Sequence, residues 1–192
     1  EAMKILLCSA VTESIAYPGG NKAEGMKLEF IDIKRAYFHA DAKREVYVEL
    51  PGEDSEEGMC GKLLKSLPGT RDAAQNWGEA YTKFMKKVGF NAGVSSPCVF
   101  VHPTKELRAV IHGDDFTLLG WVHQLDWFRQ QVALDFQCKF RGRIGPARED
   151  QKSIRILNRI VEWTDSGIWY EPDQRHAEII VATCKLESAK SV

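Results

Sequence analysis

Apolar residues recur along this chain with two periods, and the switches between them mark its elements. Met3, Leu6, Leu7, Ala10 and Val11 have helical spacing and predict a helix over residues 1–14, followed by a loop broken by Pro18, Gly19, Gly20 and Gly25. In Lys27–Ile33, KLEFIDI, the residues Leu28, Phe30 and Asp32 alternate onto one face, so Asp32 stands at the exit of a buried strand. Short strands are predicted at 46–50, ended by Pro51-Gly52 and an acidic solvated loop, and at 61–67, stopped by Pro68-Gly69. The strongest helix signal is the stripe Ala74, Trp77, Tyr81, Phe84 and Val88, with Thr70 as its cap and Gly89 as its stop. Its aromatic rings read as core.

A strand at 98–101, a hairpin over 107–120 and a helix over 123–136 with Leu125, Phe128 and Val132 facing inward complete the central region. Residues 137–143, QCKFRGR, carry Lys139, Arg141 and Arg143 at every second position, a basic stripe on one face of an extended chain. Residues 154–163 and 167–170 flank a turn and predict a hairpin, after which Pro172 opens a helix carrying Ala177, Ile180, Val181 and Cys184. The order strand, helix, hairpin, helix, strand predicts an α+β fold: a ferredoxin-like antiparallel sheet with helices on one face, extended by a C-terminal hairpin and helix.

Composition narrows the function classes. With 192 residues, 44% of them hydrophobic, the chain can bury a real core, most simply as one domain with an appendage. A net charge of -1 excludes a basic protein overall, so contact with nucleic acid requires a local stripe of Lys and Arg. The five cysteines are odd in number and widely spaced, which reads as thiols of a reducing compartment, neither a disulfide frame nor a zinc site. No run reaches the length of a membrane span and the N-terminus lacks the design of a secretory signal, so an intracellular protein is expected. Glu1 in place of an initiating Met suggests a piece of a longer chain.

The candidate chemistry lies in the hairpin. Its two apolar runs, LRAVIH and FTLLG, are separated only by Gly113, Asp114 and Asp115. Burying acid is costly, so adjacent carboxylates at that break predict a turn that presents negative charge to a cation, a divalent metal being the obvious one. With strand alternation carried through the break, Val110, His112 and Asp114 share one face and Ile111, Gly113 and Asp115 the other, which makes the two aspartates inequivalent. An isolated Asp-Asp at a turn is an ordinary surface feature. A metal site needs a partner acid, and Asp32 is the candidate.

Several segments, in order, resemble the reverse transcriptases of Ty1/copia retrotransposons. FIDIKRAYFHA (30–40) is similar to the family's first motif, an aspartate followed five residues later by an aromatic. KLLKSLPGTRDAAQNW (62–77) and VGFNAGVSSPCVFV (88–101) resemble two further copia segments, VIHGDDFTLLG stands where the family has its Asp-Asp box, and 125–181 resembles the pattern that follows. The resemblance covers nearly all of the chain from Lys27 onward. It implies an RNA-directed DNA polymerase palm at 26–143, preceded at 1–25 by a remnant of otherwise absent fingers and followed at 144–192 by a connection toward the thumb.

The same resemblance implies two Mg²⁺ ions, or Mn²⁺, held by Asp32 and Asp114 as the ligands proper and Asp115 as the weaker one. Tyr37 would be the aromatic gate against a 2′-hydroxyl, Gly69 part of the loop beneath the templating base, and Arg71, with Lys34 and Arg35, a phosphate contact. The implied partners are an RNA or DNA template-primer, deoxynucleoside triphosphates, and RNase H and integrase domains of a polyprotein outside this chain, with no membrane. The implied location is a cytoplasmic particle or the nucleus. His112 and Gly113 depart from the family's aromatic and apolar residues before the acids, which predicts a more flexible turn; Ala73-Ala74 stand for Ser-Pro and Pro68 for Tyr. The alternative is a non-catalytic remnant that keeps the sheet and the basic stripe for nucleic-acid contact.

Overall fold

The computed structural model describes residues 1–18, 25–172 and 174–185. In chain order these form α1 (Ala2–Val11), α2 (Glu13–Ala16), β1 (Lys27–Ile33), a 3₁₀ turn (Ala36–His39), β2 (Tyr47–Val48), β3 (Gly61–Lys62), α3 (Ala73–Lys87), β4 (Asn91–Ala92) and β5 (Val99–His102). Then come β6 (Leu107–His112), β7 (Asp115–Gly120), α4 (Val122–Asp135), β8 (Cys138–Ile144), β9 (Ser153–Ile156), β10 (Arg159–Thr164), β11 (Gly167–Tyr170) and α5 (Gln174–Thr183). The result is a mixed α+β structure with antiparallel sheets. The main sheet has the order β4-β5-β6-β7-β1-β8, a second sheet the order β11-β10-β9, and β2 pairs with β3 alone.

Alternation along β1 divides the interior in two. Ile31 and Ile33 point to the side covered by Trp77, Phe84 and Met85 of α3 and by Leu125, Phe128 and Val132 of α4. Leu28 and Phe30 point to the other side, where Leu6, Leu7 and Ala10 of α1 and Ile154, Ile156, Val161 and Trp163 of the second sheet pack against them. The main sheet is thus buried over both faces, and α1 lies opposite α3 and α4, which the expectation of helices on a single face did not include. Each fully buried aromatic or aliphatic residue of these layers contributes about 1.5–3 kcal/mol through removal of apolar surface from water.

Several local expectations differ from the structure. The helix of 1–14 breaks at Thr12, where an extended backbone separates α1 from α2. The strands expected at 46–50 and 61–67 shrink to a ladder of Tyr47 with Lys62 and Val48 with Gly61, and Tyr47 and Leu64 stay exposed, so little apolar burial supports a longer ribbon. Asp72, not Thr70, precedes α3; the Thr70 hydroxyl donates instead to the Leu67 carbonyl at 2.8 Å. Residues 154–163 are not one strand: Leu157 and Asn158, with φ of 45° and 60°, turn the chain between β9 and β10. Gly19 and Gly20 of the expected first loop, and the end of the chain past 185, lie outside the described residues.

Glu29 is the one acid in the middle of β1, and it is completely buried. Its Oε1 accepts from Arg129 of α4, at 3.0 Å from Nε and 2.5 Å from Nη2, and its Oε2 from Arg143 Nε at 2.5 Å. Arg143 also donates to Asp126 at 2.7 Å. A buried carboxylate is tolerable only with such partners, so Glu29 ties β1, β8 and α4 together. Glu29→Ala removes the buried carboxylate that both guanidinium groups share, leaving Arg143 with Asp126 only as its carboxylate partner in these bonds, and is expected to lower stability by about 3 kcal/mol. Urea unfolding at pH 7 measures this as a shift in midpoint.

Candidate active site

The turn between β6 and β7 consists of Gly113 and Asp114 alone. Gly113 has φ of +61°, and Asp114 is not among the positive-φ residues, the pattern of a type II′ hairpin turn, which requires glycine at its first central position. Because the chain reverses there, His112 pairs with Asp115. Asp115 therefore shares the face of His112 and Val110, not that of Ile111. Carrying strand alternation through the break was the error: a two-residue turn puts the residues on either side of it opposite one another. Alternation therefore does not make the two aspartates inequivalent; they differ because Asp114 sits in the turn and Asp115 in β7.

Across the sheet the registers line up a row. His112 of β6 lies opposite Asp115 of β7, Asp115 opposite Asp32 of β1, and Asp32 opposite Lys139 of β8. Directly paired antiparallel residues share a face, so Asp32 and Asp115 stand side by side on the face of Leu28 and Phe30, beyond the part of it that Phe30 and Val110 bury. Asp114 is exposed in the turn, and its carbonyl accepts the Ile33 amide at 2.9 Å, which fastens the turn to the end of β1. Asp32, Asp114 and Asp115 are thus brought together from positions far apart in the chain.

The surroundings of Asp115 disfavour its ionised form. Burial pushes the Asp115 carboxyl above the usual range, the adjacent Asp114 charge adds to this, Arg141 opposes it, Asp32 raises it further and His112 opposes it. Arg141 Nη1 is 3.9 Å from Asp115 Oδ1 and its Nη2 donates to the Arg155 carbonyl at 3.2 Å. Among the described residues no three His, Cys, Asp or Glu side chains are gathered into a ready-made metal cage.

The basic stripe is not one stripe. The β1–β8 register shifts between Phe30 and Ile31, with Gly142 opposite Phe30 and Phe140 opposite Ile31, so Arg141 is the extra residue of a bulge. A bulge reverses the alternation. Lys139 ends on the carboxylate face opposite Asp32, whereas Arg143 ends on the helix face opposite Glu29. Burial works against the Arg143 charge, and hydrogen bonds to Asp126 and Glu29 more than offset it, so the guanidinium is held above its ordinary value and committed to the interior. Lys139 and Arg141 remain exposed beside the acids.

The remaining sequence candidates flank the row. Tyr37 lies in the 3₁₀ turn after β1, reached through Arg35 in a left-handed conformation (φ 54°), and packs half-buried against the cluster shared by α3 and α4. Gly69 has φ of +95° with open space around it, so its conformation requires glycine, and exposed Arg71 follows just ahead of α3. The residue missed from the sequence is Trp77. Its indole Nε1 donates to the Gly113 carbonyl at 2.8 Å while its ring is 2% exposed, boxed by Tyr81 and Phe136 with centroids at 5.5 and 5.2 Å. Helical spacing marked Trp77 as core, and nothing in the spacing signals what its one polar atom meets. The turn is consequently anchored at two carbonyls and is not the loose loop that Gly113 suggested.

The antiparallel sheet thus carries carboxylates from β1 and from the β6–β7 hairpin in one row, and comparison with known proteins supplies the family. The sequence profile of the reverse transcriptase (RNA-dependent DNA polymerase) family matches residues 21–146, and the chain belongs to that family. Within it the chain is of the Ty1/copia type. It is similar to the retrovirus-related Pol polyprotein from transposon TNT 1-94 of Nicotiana tabacum, 26% identical over 174 residues that make up 87% of this chain and 12% of that polyprotein. It is also similar to the transposon Ty1-MR1 Gag-Pol polyprotein of Saccharomyces cerevisiae, 29% identical over 91 residues, 47% of this chain and 5% of that one. The chain therefore spans a small fraction of the relatives it matches.

A raised folded-state pKa means that Asp115 holds its proton more firmly in the folded chain, so its contribution to stability is greatest below the unfolded value of 3.8 and is lost as pH rises through the folded value. At neutral pH burial and the neighbouring carboxylates therefore work against the ionised group. Asp115→Asn is expected to raise the melting temperature at pH 7 in EDTA by a few degrees. Differential scanning fluorimetry checks it, and the gain should shrink toward pH 3.8.

Proposed function

We propose that this chain is the palm of an RNA-directed DNA polymerase, with Asp32, Asp114 and Asp115 as its carboxylates and residues 26–143 as the palm itself. The observation that carries the reading is the register pairing of Asp32 with Asp115 beside the anchored Asp114 turn. The strand order supports it: β6-β7-β1-β8 are antiparallel neighbours with α3 and α4 in the connections between them, as a ferredoxin-like split βαβ would require.

The donor set fits Mg²⁺. Mg²⁺ binds through one or two carboxylates, keeps several waters and takes substrate phosphates as further ligands, so it needs hard oxygen donors at an open edge and not a closed protein cage. Asp32, Asp114 and Asp115 would hold it, and when bound it supplies charge neutralisation at the triphosphate and a lowered pKa at the primer 3′-hydroxyl. Exposed Lys139 and Arg141 next to the acids are suited to backbone phosphates of a template-primer. Arg71 is suited to a nucleotide phosphate, Gly69 to the loop beneath the templating base, and the Tyr37 ring to blocking a 2′-hydroxyl. The chain works with other segments of a polyprotein, RNase H and integrase among them, inside the cell in a cytoplasmic particle or the nucleus.

Primer extension with dTTP on oligo(dT)-primed poly(rA), with Mg²⁺ or Mn²⁺, tests the reading. Asp32→Asn and Asp114→Asn are each expected to lower extension by about 100-fold or more. Extension that is equal in wild type and variants rejects the assigned roles, and primer-template binding without extension identifies a nucleic-acid-binding module instead. Tyr37→Ala is expected to let ribonucleotides in, read as the ratio of rUTP to dTTP incorporation rising about tenfold.

A further inference from the structure

We infer that Trp77 is a positioning residue for the Asp114 turn, selecting one of the two orientations that its central peptide can take. The inference rests on the polymerase reading only for its consequence, the metal site. The grip itself is a matter of geometry.

The two glycine-first hairpin turns differ in the orientation of the peptide between the central residues. Type II′ has positive φ at the first central residue alone, and type I′ has it at both. Here the central peptide joins Gly113 to Asp114, and its carbonyl is that of Gly113. Turning it over leaves φ of Gly113 positive and drives Asp114 into the left-handed region, which aspartate tolerates better than most residues. The flip would re-aim the Asp114 side chain without breaking the sheet on either side.

Trp77 meets that carbonyl and no other polar group in the hydrogen bonds of the structure: Nε1 to Gly113 O is 2.8 Å. A buried indole N–H needs an acceptor, and the ring is immobilised among Tyr81, Phe116 and Phe136. The donor is therefore held from the interior, on the rigid helix α3, and points at one face of the turn. The next carbonyl, that of Asp114, accepts from Ile33 N at 2.9 Å. Flipping the central peptide would bury the indole N–H unpaired, so the grip favours the type II′ state by the penalty for an orphaned donor.

The test compares Trp77→Phe, which keeps a ring and removes the donor, with Phe84→Leu, a packing change in the same helix and core that does not touch the turn. The one-bond Cα–Hα coupling of Asp114, which distinguishes negative from positive φ, and Mn²⁺ titration followed by electron paramagnetic resonance are the readouts. Trp77→Phe is expected to move that coupling toward the value of a left-handed residue as the flipped state gains about tenfold in population, the factor one hydrogen bond allows, and to raise the Mn²⁺ dissociation constant by about tenfold. Phe84→Leu changes neither beyond its effect on global unfolding. Replacing Trp77 by benzothienylalanine, with sulfur for N–H in a ring of the same shape, gives the same result where Phe leaves a void. An Asp114 coupling unchanged from wild type, or the same change in Phe84→Leu, overturns the inference. Wild-type Mn²⁺ binding that Asp32→Asn leaves unchanged overturns the metal reading, and the coupling arm then decides the grip by itself.

Discussion

The register of β1 is the constraint on which the rest of the structure depends. This strand is paired on both sides, with β7 and β8, and carries a buried acid facing one way and a half-buried acid facing the other. A slip of one residue would turn Glu29 toward the α1 layer and Asp32 toward α4, exchanging every side chain between faces. Glu29 makes that slip costly, because only in the observed register do Arg129 and Arg143 reach it. The ion pair on the helix side thus guards the alignment of Asp32 with Asp115 on the open side, though no residue of the pair belongs to the carboxylate row.

The bulge at Arg141 serves the same division of labour. A strand without it would put Lys139 and Arg143 on one face, so that either Glu29 lost a guanidinium or Asp32 lost its basic neighbour. One extra residue lets β8 supply cations to both. Arg143 is spent on the interior; Arg141 and Lys139 stay at the exposed edge, Arg141 within 3.9 Å of Asp115 and Lys139 opposite Asp32 in register. The carboxylates themselves are held from opposite directions, Asp32 by the strand and Asp114 by a turn whose two carbonyls are fastened to α3 and β1. Rigid elements thus hold Asp115 beside Asp114 and Asp32, whose charges oppose its ionisation.

The family relationship places this arrangement among reverse transcriptases of the Ty1/copia type. His112 and Gly113, which set the hairpin apart from the family's usual residues, take on a physical meaning. Gly113 is required by its positive φ, and His112 pairs with Asp115 at the exposed end of the row. Neither departure removes a carboxylate or loosens the sheet.

Much of this was legible in the residues themselves. The period of KLEFIDI announced a buried strand ending at Asp32, the stripe from Trp77 to Phe84 announced α3, and the apolar runs around Gly113 announced the hairpin, because local periodicity follows from the geometry of one element. What a strand pairs with, and in which register, depends on residues far away, so the row of His112, Asp115, Asp32 and Lys139 and the face taken by Arg143 were decided only when the chain folded. The short ladder of β2 and β3 shows the same limit from the other side: β-prone residues at 46–50 and 61–67 stay largely irregular where little apolar burial supports them. A bulge, a two-residue reversal and one indole N–H aimed at a turn are tertiary facts. The alphabet of the sequence names the residues involved, and only packing tells which side of the sheet each one serves.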